Sequence, residues 1–204
     1  AAGFDRPVRG GTVTVDGLRD LTGNRGTASV APVAALAEPG DVVFNEVLFA
    51  PLADRFDERP DQPEYVEIYN RTAVPLTLRG WYWTDPPDEG GAADTLVLSP
   101  GPGVVAPGGF VVVVAAGTGP TADALWRAFP GVDPSAPGLT VLPLSRTSLG
   151  LPNTAGRLRL HRRDDTVLDT LAYDAAWHDP ARAVVAGLAL ERVDALAPST
   201  LRTN

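Results

Sequence analysis

Glu64-Tyr65-Val66-Glu67-Ile68-Tyr69-Asn70, followed by Leu76-Thr77-Leu78-Arg79-Gly80-Trp81-Tyr82-Trp83-Thr84-Asp85, is the stretch whose reading decides the fold. The first run alternates acidic or aromatic residues with aliphatic ones and ends on a turn-forming Asn, a strand pattern of period two. The second run carries leucines, a Gly and then two Trp two residues apart. Residues two apart on a strand share a face. Two indoles on one face supply far more apolar area than an exposed strand needs, so the spacing predicts a central, buried strand. Gly80 is expected to mark a bulge, because Leu76 and Leu78 share one parity while Trp81 and Trp83 share the other.

Other short apolar runs flank this pair. Residues 42–49 read as a strand apolar on both faces with Glu46 inside it. A carboxylate buried there needs a partner: an Arg, a pair of backbone amides or a cation. Residues 95–99, 110–116, 138–144 and 187–194 read as further strands. Residues 157–161 and 166–173 read as a hairpin with an Arg-Asp-Asp tip. Its inward residues are expected to be Leu158, Leu160, Val167 or Leu168, Leu171 and Tyr173. One helix is predicted over 121–129, capped by Thr121, favoured by Asp123 in its first turn and stopped by Pro130-Gly131. Its apolar side, Leu125, Trp126 and Phe129, is expected to lie across the sandwich. Strands at this spacing, in a chain with 21 Gly and 20 Pro, indicate an all-β antiparallel β-sandwich with one short helical insertion.

Composition narrows the function classes. The 204 residues carry a net charge of −8, and all 17 basic residues are Arg. An acidic surface is repelled by nucleic acid and by anionic lipid, so general binding to either is disfavoured. The absence of Cys removes disulfides, thiolate metal sites and Cys nucleophiles together. No apolar run approaches the roughly 20 residues that a membrane-spanning helix needs. The absence of Met leads to the expectation that the chain is a piece of a longer protein.

Four segments are expected. Residues 1–31 contain the pattern Val13-x-Val15-x-Gly17-Leu18-x-Asp20-x-x-Gly23-Asn24, which resembles the closing hairpin of bacterial Ig-like domains. Residues 32–40 read as an Ala/Pro linker, 41–197 as the main domain and 198–204 as a tail. The hairpin is expected to dock on the main body or on a second copy, and dimerisation through residues 8–30 is one form this would take.

The main domain resembles the lamin tail domain family in linked pieces. Phe44-Asn45-Glu46-Val47 is similar to its opening strand, the 64–70 run to its second, and Leu78-x-Gly80-Trp81-x-Trp83-x-Asp85 to its third. Ala106-Pro107-Gly108-Gly109-Phe110 with the valines, the turn and strand from Asn153 to Leu160, and residues 167–173 and 188–193 follow in the family's order. A longer acidic loop at 51–63 and the insertion near 121–129 depart from it. The resemblance implies an Ig-like sandwich and an accessory or protein-interaction module of a secreted or surface-attached bacterial protein. It implies an extracellular, periplasmic or cell-surface location and supplies no catalytic site.

Patterns for chemistry are few. There is no Gly-x-Ser-x-Gly elbow, His-Glu-x-x-His pair or phosphate-binding Gly loop with Lys. His178, in Trp177-His178-Asp179-Pro180, reads as a loop residue before it reads as a base. The candidate ligand site is acidic. Glu46, Asp54, Asp57, Asp61, Glu64 and Glu67 are expected to lie near one end of two neighbouring strands, where their oxygens would suit calcium, which takes six to eight. The ordinary alternative is that Glu46 and Glu67 bond amides and arginines and that the loop is solvated. Trp81 and Trp83 offer a sugar-stacking platform if exposed and core packing if not, with Trp177 the more exposed candidate. The expected function is therefore a non-catalytic interaction or spacer module, with a carbohydrate- or calcium-binding module as its rival.

Overall fold

The computed structural model describes residues 13–19, 21–30, 34–53, 61–85, 94–99, 103–117, 123–133, 135–182, 184–195 and 197. In chain order the strands begin with β1 (Val13–Arg19), β2 (Arg25–Val30), β3 (Val42–Leu48), β4 (Tyr65–Asn70), β5 (Leu76–Thr77), β6 (Tyr82–Asp85), β7 (Asp94–Val97), β8 (Val104–Val105) and β9 (Phe110–Ala115). The helix α1 (Asp123–Ala128) follows, then β10 (Leu139–Leu144), β11 (Ala155–His161), β12 (Val167–Asp174), a single 3-10 turn at Ala175–Trp177, and β13 (Leu190–Glu191).

Two sheets face each other. One has five strands in the order β10-β9-β4-β3-β13, the other four in the order β12-β11-β6-β7. β4 shows why the layers form. Val66, Ile68 and Asn70 are buried, while Tyr65, Glu67 and Tyr69 are half-exposed. The inner faces meet in one core: Phe44, Val47, Ile68, Val111 and Val113 from the first sheet, Trp83, Leu158, Leu160, Leu168 and Leu171 from the second. Trp81 and Trp83 are 1% and 2% exposed, on the central strand β6 or at its start, as their spacing required. The molecule is an all-β, Ig-like sandwich with one short helical insertion.

Several details differ from the sequence expectation. β9 and β10 run parallel, whereas the other strand pairs among the described residues are antiparallel. The crossover between them contains α1, and a parallel neighbour needs such a connection. Leu125, Trp126 and Phe129 of this segment do not lie across the sandwich. They cover the outer face of the five-stranded sheet, against Val112, Val114, Tyr65, Leu139 and Val141. The predicted cap Thr121 lies outside the described residues.

Gly80 makes a turn and not a bulge. Its φ is 77°, and Trp81 N–H donates to the Leu78 carbonyl at 3.0 Å. β5 therefore leaves β6 and pairs with β8 in a separate two-stranded ribbon. The last strand is two residues long; Arg192, just after it, donates its backbone N–H to the Asn45 carbonyl at 2.7 Å and uses its side chain as a clamp. Its guanidinium, 3% exposed, reaches the Asp169 carboxylate at 3.2 Å and the Phe44 carbonyl at 2.7 Å. Val167, one of the two inward options, is exposed, and Leu168 takes the core position. The β1–β2 hairpin pairs with no other strand among the described residues, and its β1 carries a bulge at Asp16-Gly17.

Asn70 staples the end of β4. Its Nδ2 donates to the carbonyls of Val74 at 3.0 Å and Ala106 at 2.8 Å, and its Oδ1 accepts from Thr72 N–H at 3.0 Å. A fully buried amide is tolerated because its donors and acceptor are both engaged.

Trp83→Ala should lower stability by about 3–5 kcal/mol, the usual cost of deleting a sealed aromatic side chain. The Tyr173 hydroxyl is buried with no hydrogen-bond partner among the described residues, while its ring stacks on Phe49 at 4.6 Å. Tyr173→Phe should therefore leave stability within about 0.5 kcal/mol or raise it. Urea unfolding of the two variants checks both values, and equal losses would contradict this account of the core.

Candidate functional site

The chemistry-bearing side chains gather on the outer face of the five-stranded sheet, and a bulge in β3 puts them there. Val42 and Phe44 point into the core, and so do Val47 and Phe49. That parity changes between 44 and 47, where the register of β3 on β4 shifts. Strict alternation would send Glu46 inward with Val42 and Phe44. The extra residue, Asn45, turns Glu46 outward instead, opposite Glu67. On the other side of Glu46 stands Glu191 of β13. Three glutamates thus form a row across three adjacent strands.

Each of the inner two is held by a neutral donor. The Tyr65 hydroxyl donates to Glu46 Oε1 at 2.6 Å, and Asn45 Nδ2 donates to Glu67 Oε1 at 2.8 Å. Burial raises the Glu46 carboxyl above its ordinary range, the Tyr65 hydrogen bond opposes this, and Glu191 adds to it. Burial likewise raises Glu67, with Asn45 opposing and the charges of Glu46 and Glu191 reinforcing. Burial and the Glu46 bond together push the Tyr65 phenol up. Above the row, α1 and the following turn enclose a cavity of about 230 Å³. Glu46, Tyr65, Glu67, Leu125, Trp126 and Phe129 line it, and the Tyr65 and Phe129 rings meet edge-on at 5.6 Å.

The remaining candidates fall elsewhere. Glu64 shares the inward parity of Val66 and points away from Glu67. It is buried, and accepts from the Ser148 hydroxyl at 3.0 Å and from Leu149 N–H, tying β4 to the loop before β11. Asp61 is exposed, and Asp54 and Asp57 lie outside the described residues. Among the described residues no three His, Asp or Glu side chains gather where a metal ion would sit. The sequence anticipated Arg, amide or cation partners for Glu46; the partner is a Tyr hydroxyl. Trp81 and Trp83 are sealed, so they form no sugar platform. His178 follows the 3-10 turn, with its ring 6.0 Å from Phe49, its Nε2 buried without a described partner, and burial lowering its pKa. That makes it a wedge packed against the core.

Two surface features escaped the sequence. On the outer face of the four-stranded sheet Tyr82 stacks on His161 at 4.7 Å and nearly parallel, and donates to Asp165 Oδ1 at 2.7 Å. Thr84 Oγ1 lies 3.0 Å from His161 Nε2. This arrangement braces the hairpin tip, where Asp165 has a left-handed φ of 67°. An open groove of about 710 Å³ runs between β5, β8 and that tip, with Arg79, Arg163, Leu36 and Val104 on its walls. Only pairing across strands could have revealed either.

The acidic row predicts a pH response. A carboxyl raised in the native state holds its proton more tightly there than in the unfolded chain. Its contribution is fully present below the unfolded pKa and is lost as pH rises through the folded value. The share of stability due to Glu46 and Glu67 should therefore fall as pH rises from the ordinary carboxylate range through their raised values. Glu67→Gln keeps an acceptor for Asn45 and removes the charge, so at neutral pH it should stabilise by up to about 1 kcal/mol, the scale of a cross-strand like-charge pair. Melting temperature against pH for wild type and variant checks this; an unchanged slope would refute it.

The chain matches no protein-family model and no curated relative.

Proposed function

We propose that the chain is a non-catalytic interaction or spacer module of a larger secreted or surface-attached protein, of the kind the lamin-tail resemblance implies. One observation carries this reading: the interior and half-buried carboxylates are engaged in bonds that hold the fold. Glu64 fastens the loop at 148–149, Asp169 takes Phe44 N–H at 2.8 Å together with Arg192, and Glu46 and Glu67 accept from Tyr65 and Asn45. A hydrolase needs such groups aimed at a substrate and at each other across a cleft. The half-exposed and exposed residues instead supply contact surface, including the arginine- and aliphatic-walled groove, a composition protein contacts favour at their centres.

The resemblance to the lamin tail family over 41–197 supports the same reading, as does a hairpin at 13–30 that joins neither sheet. Deleting residues 41–197 from the full-length protein should leave the parent's chemistry unchanged and alter its partners or its attachment. The isolated chain should turn over ester, phosphodiester and glycoside substrates no faster than buffer. Turnover abolished by Glu46→Gln or Glu67→Gln would overturn the proposal.

A further inference from the structure

We propose that the cavity between α1 and the outer face of the five-stranded sheet binds an alkylammonium group, the charged head and apolar stem of a small amine or of a lysine side chain. The inference deepens the interaction-module reading and rests on it. The cavity has a polar floor and an apolar roof. On the floor, Glu46 and Glu67 each have one oxygen engaged by a neutral donor, Tyr65 or Asn45. The second oxygen of each has no protein partner among the described residues, and no described cation pairs with either carboxylate. The roof is Leu125, Trp126 and Phe129, held by Val112 and Leu139 beneath.

That division selects the occupant. A calcium ion wants six to eight oxygens, and the apolar roof provides none. A guanidinium prefers two coplanar oxygens of one carboxylate, whereas here the open oxygens belong to residues on adjacent strands. An ammonium is compact and directs three donors, so it can bridge two carboxylates that each offer one oxygen. Its methylene stem would lie along Leu125 and Phe129, with Trp126 and Tyr65 lining the same cavity. At about 230 Å³ the cavity is smaller than the ~300 Å³ where small-molecule pockets begin, which fits a butyl or pentyl stem better than a whole drug-sized ligand. Residues 1–204 contain no Lys, so no side chain among them supplies the ammonium.

Titration of the intact chain with n-butylammonium chloride, followed by calorimetry and by the tryptophan and aromatic proton resonances, tests the proposal, with sodium chloride and n-butanol as references. Saturable binding in the millimolar range or tighter is expected, stronger than that of n-butanol. The Glu46→Gln/Glu67→Gln variant should weaken it by about tenfold or more, the scale of removing a charge partner. Trp126→Ala, at a half-exposed position, should weaken it without unfolding the chain, as circular dichroism would verify. Binding no stronger than that of n-butanol, or undiminished in the double Gln variant, would overturn the proposal. Displacement of butylammonium by a lysine-containing peptide, but not by its alanine counterpart, would assign the head to a partner's side chain. Failure of that displacement with butylammonium still bound would assign it to a free amine. Loss of ammonium binding removes only the pocket; conversion of the amine into product would remove the module reading itself.

Discussion

The sealing of two indoles between stacked sheets is the constraint on which the rest of the molecule depends. Trp81 and Trp83 are the largest side chains in the core and touch no solvent to speak of. Filling the space around them takes inward residues from both sheets: Phe44 and Ile68 on one side, Leu158, Leu160 and Leu168 on the other. Interiors pack as densely as organic crystals, so the positions of these side chains set the separation and stagger of the layers. Everything polar must then be arranged around that slab, either satisfied within it or turned out of it.

β3 shows both solutions in one strand. The bulge at Asn45 moves Glu46 from the core face to the outer face, and beside it Phe44 N–H donates to the Asp169 carboxylate at 2.8 Å. Arg192 then neutralises Asp169 and reaches back to the Phe44 carbonyl. A single irregularity thereby links the closing of the sandwich edge to the placing of the acidic row. The buried ion pair is tolerated because both partners find further hydrogen bonds; removing one alone would strand a charge. The carboxylates of the row are tolerated for a different reason: they sit at the boundary, with a neutral donor each and a cavity beyond.

The crossover through α1 supplies that cavity. Joining two parallel neighbours obliges the chain to leave the sheet and return over one face. The returning segment places Leu125, Trp126 and Phe129 above Tyr65 and Val112, giving the five-stranded sheet a second, smaller apolar cluster on its outside. The same crossover leaves β10 at a sheet edge, where Pro143 lacks the N–H that another strand would use. The four-stranded sheet ends on β7, whose Asp94 and Thr95 are exposed.

By itself, the sequence determined the strands, their inward faces and the class of fold. Alternation along 64–70, the indole spacing and the leucines of the 157–173 hairpin are local signals, and side-chain period two translates them directly into faces. Residues 42–49 read as an unbroken strand apolar on both faces, so the parity switch from Val42 and Phe44 to Val47 and Phe49 came from the structure. Alternation along 64–70 already puts Glu67 on one face with Tyr65 and Tyr69 and Glu64 on the other; tertiary structure alone decided which carboxylates of different strands stand side by side. Glu64 and Glu67 are three residues apart and face opposite ways, whereas Glu46, Glu67 and Glu191 are far apart in the chain and stand in a row. Register across strands depends on how the whole core packs, and on the parallel crossover that brings α1 back over Tyr65. No local pattern carries that information, because the free energy that selects it is shared among residues distant in sequence.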